Sequence, residues 1–132
     1  MFDQASDGRS VNCYPAGGFA AADTAKSGKY DPHLTSGASN RFAYLLAEGA
    51  VAPAGVSCAA SQLVCNGDTG IVGIGRAKLR AIWYRALTTY FVSSTDYPGA
   101  RAGTLQAAAD LYGAGSAEYQ TVARVWSAVK VN

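Results

Sequence analysis

Four stretches of the chain carry apolar residues on one side of a helical repeat. Ala38, Phe42, Leu45, Leu46 and Gly49 recur at i, i+4, i+7, i+8 and i+11, the spacing of a single helical face. Ser36 suits the start of this helix as an N-cap and Gly49 suits its end, which predicts a helix over 36–48. Leu79, Ile82, Trp83, Ala86, Leu87 and Tyr90 form a second stripe on a helix near 74–91. A third helix follows Thr95 and Asp96 with Pro98 in its first turn. It is expected to bury Leu105, Ala108, Ala109 and Tyr112 and to stop at Gly113. A fourth, capped by Ser116 with Glu118 in its first turn, is expected to bury Val122, Val125, Trp126 and Val129. Each stripe is one-sided, so the helices must pack on one another. No alternating β-branched run of useful length occurs.

Between these stretches the periodicity lapses. Residues 1–30 hold Gly8, Gly17, Gly18, Gly28 and Pro15 among small residues and read as irregular. Residues 50–70, with Pro53, Gly55 and Gly67, read likewise, and CNGDTG is turn chemistry. The expected fold is all-α: a bundle of four to five helices with an irregular N-terminal segment and one long loop. It forms one domain over 1–132, with an irregular entry at 1–30 and a helical core at 31–131.

Composition narrows the class. With 49% hydrophobic and 15% charged residues in 132, the chain is globular and not disordered. A formal charge of +2 speaks against a nucleic-acid partner. Arg76, Lys78, Arg80 and Arg85 lack aromatic stacking partners on their face and read as a solvated face. No apolar run approaches the roughly 20 residues of a membrane span, so no membrane partner is expected. The opening MFDQASDGRS lacks the order of a signal peptide. The chain is therefore expected to be cytosolic as it stands, or a segment of something longer.

Several motifs fail on their chemistry. Gly70 and Gly75 have the spacing of a phosphate loop, but Arg76 and Ala77 stand where Lys and Ser or Thr are needed. GIVGIG is better read as a flexible entry to the second helix. The aromatic residues Trp83, Tyr84, Tyr90, Tyr112 and Trp126 fall mostly on the stripes and read as core. The three cysteines, Cys13, Cys58 and Cys65, form no C-x-x-C and no zinc-ligand spacing. Their odd number leaves at least one thiol unpaired within the chain, and a catalytic Cys–His pair has no local support.

The chain has a single histidine, His33, in Asp31-Pro32-His33. Pro32 fixes the backbone between the two polar groups. Asp31 can accept a hydrogen bond from one ring nitrogen and leave the other facing outward in a defined state. An imidazole so held is prepared to donate to a developing negative charge.

DPHLTSGASNRFAYLLAEG, GIVGIGRAKLRAIWYRALTTY and GTLQAAADLYG, in this order and spacing, resemble the C-terminal domain of thermolysin-like neutral metallopeptidases, the actinobacterial secreted members above all. SDGRSVNCY resembles the family's entry into that domain, and the likeness runs from about Asp7 to Val131. The resemblance implies a two-domain zinc endopeptidase with its active site in the cleft between domains. The N-terminal domain would carry HExxH and a downstream glutamate, hence the zinc and the general base. This helical domain would supply His33 as the donor to the tetrahedral oxyanion, with Asp31 orienting it.

The departures are equally specific. With one histidine the chain cannot contain HExxH. Zinc is therefore expected in the full enzyme but not bound by this chain, and calcium in the missing domain. The family's substrate-holding arginine belongs to preceding sequence, and none of Arg9, Arg41 or Arg76 has its context. The chain alone is expected to be inactive. By the resemblance, Cys13–Cys65 is the favoured disulfide, with Cys58–Cys65 as the local alternative. The expected partners are the N-terminal zinc-binding domain, a peptide or protein substrate and, for the isolated domain, a second copy. The expected location is secreted. The contrasting reading is a free-standing, non-catalytic helical interaction module derived from a peptidase.

Overall fold

The computed structural model describes residues 2–19 and 31–132. The remainder of the irregular segment, Gly28 included, lies outside the described residues. The helices are α1 (Pro32–Thr35), α2 (Gly37–Glu48), α3 (Arg76–Thr89), α4 (Tyr97–Tyr112) and α5 (Ala117–Ala128). Short 3₁₀ turns form at Gln4–Asp7 and Ala60–Gln62. Among the described residues the only strand-like feature is an isolated bridge between Gly49 and Val72.

The long helices close a ring. α2 packs on α3 and α5, and α4 packs on the same two from the other side. Large apolar side chains fill the centre: Phe42, Leu45, Leu46, Ile82, Val122, Val125 and Trp126 are fully buried. Phe42 lies flat on Trp126, with ring centroids 3.8 Å apart and planes 17° from parallel. The stripes of α2 and α5 are buried as the periodicity predicts. In α3, Ile82 and Ala86 are buried and Leu79, Trp83 and Tyr90 partly so, but Leu87 is 55% exposed and Tyr84 68%. The basic residues of α3 face solvent, three of them paired: Arg76 with Glu48, Lys78 with Glu118, and Arg85 with Asp110.

Two expectations are corrected in register. α4 buries Gly103, Thr104, Ala107 and Ala108, with Leu105 and Tyr112 only partly covered. The small residues, not the large ones, face the core because α3 approaches closely there. Ser36 does not cap the helix that follows it. Its backbone is helical (φ −60°, ψ −13°), its side chain makes no capping bond, and its hydroxyl donates to the His33 carbonyl. The capping residue is Asp31, five positions earlier, at the head of α1.

The long loop is not loose. Leu63, Val64 and Ile71 are buried in the core. The entry to α3 is tied to the end of α2 by Ala50 N–H to the Ile71 carbonyl (3.0 Å), Ile74 N–H to Leu46 (2.8 Å) and Gly75 N–H to Ala47 (3.0 Å). A Cβ on Gly73 would stand 2.4 Å from the Ala47 carbonyl oxygen. Gly73 of GIVGIG thus serves close backbone packing and Gly75 a positive φ of 86°, and the entry is tied down and not flexible. Cys13 and Cys65 are joined in a disulfide, Cα to Cα 6.0 Å, across a sequence separation of 52. Cys58 is a free, half-buried thiol packed against the core.

Candidate functional site

The site is built by a four-residue helix. Asp31 has a non-helical backbone (φ −48°, ψ 129°) that allows its side chain to turn back over the first turn, and Pro32 occupies the first helical position, where no N–H is needed. One carboxylate oxygen, Oδ1, then meets two groups of the same residue. It accepts the His33 backbone N–H at 2.9 Å and lies 2.5 Å from His33 Nδ1. These bonds hold the Asp31 carboxyl below its ordinary pKa, the backbone N–H of His33 contributing most and the ring next. The imidazole is itself open to solvent, with 91% of its side-chain surface exposed against 47% for Asp31. Because Nδ1 faces the carboxylate, Nε2 is turned outward.

His33 lies within α1, just ahead of α2. α1 and α2 are one helical path broken at Ser36, and each carbonyl at the break has its own partner. The His33 carbonyl accepts from Ser36 Oγ at 3.1 Å. The Leu34 carbonyl accepts from the Val11 N–H at 3.2 Å. The Thr35 carbonyl accepts from the Tyr97 hydroxyl at 2.6 Å. Val11 runs so close that a Cβ on Gly37 would stand 2.0 Å from its carbonyl oxygen. Beside α1 opens a groove of about 400 Å³ whose lining includes Pro32, Ser39, Trp83, Phe91 and Tyr97.

The arginines have other duties. Arg41 is buried, bonds to the Gln62 carbonyl at 2.9 Å and lies 3.7 Å from Asp3. Arg76 reaches Glu48 at 2.6 Å. Among the described residues no group of three or more His, Cys, Asp or Glu side chains could hold a metal ion. The described residues therefore do not fit a zinc centre. Among the described residues no helix is long and apolar enough to cross a membrane.

Likeness of sequence over nearly the whole chain assigns it to a known family. It belongs to the thermolysin metallopeptidases: the family described as "Thermolysin metallopeptidase, alpha-helical domain" matches residues 3–131. Similar proteins include bacillolysin of Bacillus cereus, 47% identical over 100 residues, which are 76% of this chain and 15% of that protein. The transglutaminase-activating metalloprotease of Streptomyces mobaraensis is 38% identical over 104 residues, 79% of this chain and 14% of that protein. Thermolysin of Alicyclobacillus acidocaldarius subsp. acidocaldarius is 40% identical over 99 residues, 75% and 16%. The chain thus spans a small part of each relative's length and corresponds to the helical domain alone.

Val11, Gly37 and Tyr97 escape a reading by local pattern. Val11 lies in an aperiodic stretch, Gly37 looks like an ordinary helical glycine, and Tyr97 opens a helix remote in sequence. Only the tertiary fold brings them to the break.

Proposed function

We propose that this chain forms one wall of the active-site cleft of a zinc-dependent metalloendopeptidase. In that cleft His33, oriented by Asp31, donates the hydrogen bond that stabilises the oxyanion of peptide-bond hydrolysis. The observation that carries the reading is the open imidazole whose Nδ1 lies 2.5 Å from a carboxylate. With Nδ1–H given to Asp31, Nε2 is a second donor in the imidazolium form. A donor held in place before charge develops needs no reorganisation when it does. The Asp31 bond to the His33 backbone fixes the residue as well as the ring, so the donor's direction is set by α1 itself.

The family's zinc, when bound, supplies carbonyl polarisation and an activated water. Its ligands, and any calcium sites, belong to the companion N-terminal domain, which is the expected partner. Residues 1–132 alone are expected to cleave no peptide. An oxidising, extracellular setting is supported by the Cys13–Cys65 disulfide.

The test is His33→Gln in the full-length peptidase that carries this chain. Removing one oxyanion donor should lower kcat about a hundredfold with little change in KM. An unchanged kcat would defeat the reading.

A further inference from the structure

We propose that Tyr97 is a positioning residue for His33: its hydroxyl occupies the helix rung between Thr35 and Ser39 and so sets the angle at which α1 presents the imidazole. The inference rests on the reading of His33 as an oxyanion donor. In an unbroken helix the Ser39 N–H would bond to the Thr35 carbonyl, four residues back. Here the Tyr97 hydroxyl stands between them. It donates to the Thr35 carbonyl at 2.6 Å and accepts the Ser39 N–H at 3.3 Å. A side chain inserted into the ladder is a recognised cause of a sharp kink.

The hydroxyl is held there from several directions. Tyr97 is the first residue of α4, whose start is fixed by the Asp96 side chain accepting the Gly99 N–H at 2.9 Å. Its ring lies edge-on to Trp126 at 6.3 Å and tilted against Tyr14 at 5.1 Å. A path of fixed groups therefore runs from the core tryptophan through the Tyr97 ring and hydroxyl to the break and then to His33. Without the hydroxyl, the Thr35 carbonyl and Ser39 N–H face each other with nothing between. Closing that rung would extend α2 backward and turn α1. The Asp31–His33 pair lies within α1 and would turn with it, so the imidazole would stay anchored but point elsewhere.

Steady-state kinetics of the full-length, zinc-loaded peptidase on a short peptide, normalised to titrated active sites, test this. Tyr97→Phe should lower kcat about tenfold while KM stays within about twofold, the signature of a misplaced catalytic group. In a His33→Gln background, Tyr97→Phe should cost nothing further, because it acts through His33. Tyr84→Phe, on an exposed tyrosine, should leave kcat unchanged. An undiminished kcat for Tyr97→Phe, or the same loss with and without His33, would overturn the inference while leaving His33 its role. Wild-type kcat for His33→Gln would overturn both.

Discussion

Trp126 donates its indole N–H to the hydroxyl of Thr104 at 2.8 Å, inside a core where both side chains are fully buried. The same hydroxyl donates back to the Ala100 carbonyl at 2.8 Å. One small polar atom thus satisfies the only polar group on the largest core side chain and orients the ring that stacks on Phe42 and meets Tyr97 nearly at right angles. Thr104→Val keeps the shape and removes the acceptor. The indole N–H is then buried without a partner, which costs about 1–3 kcal/mol. Urea unfolding should show that loss, and Thr104→Ser should recover most of it. Equal stability for the valine and wild-type chains would mean the hydrogen bond contributes nothing.

How far the sequence discloses this arrangement depends on side-chain size and on distance along the chain. In α2 and α5 the large apolar residues all lie on one face, so periodicity and burial coincide at Phe42, Leu45, Val122 and Trp126. In α4 they do not. Leu111 is 43% exposed while Gly103 and Ala107 are buried, because the close approach of Phe91 and Tyr90 leaves no room for a side chain at 103. A pattern rule that weights large residues finds Ala108 there but misses Gly103, Thr104 and Ala107. The Asp31–His33 unit is legible because every bond in it spans two residues. The bonds that set its angle span 23 residues from Val11 and 62 from Tyr97, and no local spacing encodes them.

Gly37 is a case in which two rules predict opposite signs. Helix propensity favours Ala over Gly by about 1 kcal/mol, so Gly37→Ala in the first turn of α2 would be stabilising on that ground. The added Cβ would meet the Val11 carbonyl oxygen at 2.0 Å. That atom is backbone and is held by the Val11 bond to Leu34, so it cannot swing aside. Overpacking of this kind costs about 1–3 kcal/mol, and at so short a distance the upper end applies. The net effect should be destabilising by about 2 kcal/mol in urea unfolding. A stabilised variant would show that Val11 is not tightly seated over the break.

The Cys13–Cys65 bridge holds Val11 from two residues away. Its closed loop spans a separation of 52, for which the chain-entropy account gives about 4 kcal/mol. Cys13→Ser should therefore lower unfolding stability by about 2–4 kcal/mol. An unreduced digest should yield the 13–65 linked peptide, with Cys58 as a free, alkylatable thiol. A Cys58–Cys65 peptide in its place would contradict the fold at the loop.

Acid should unfold the domain through carboxylates held charged by their partners, and Asp7 is the clearest. Its carboxylate accepts the Ser10 hydroxyl at 2.6 Å, the Ser10 N–H at 2.7 Å and the Arg9 N–H at 2.8 Å. Those bonds, the Ser10 hydroxyl foremost, pull its pKa from 3.8 to about 2. Asp31, Asp68, Asp110 and Glu118 are lowered as well, the last three chiefly by Arg124, Tyr90 and Lys78. A group whose pKa is lower folded than unfolded stabilises the fold above its unfolded value, and that stability is lost as pH falls through the folded one. For Asp7 the window runs from 3.8 down to about 2. The melting temperature of the wild-type chain should drop across it. Asp7→Asn cannot take up a proton there, so its melting temperature should start lower at pH 5 and fall less steeply between pH 4 and 2. Parallel curves for the two chains would show that the Asp7 turn is no better bound folded than unfolded.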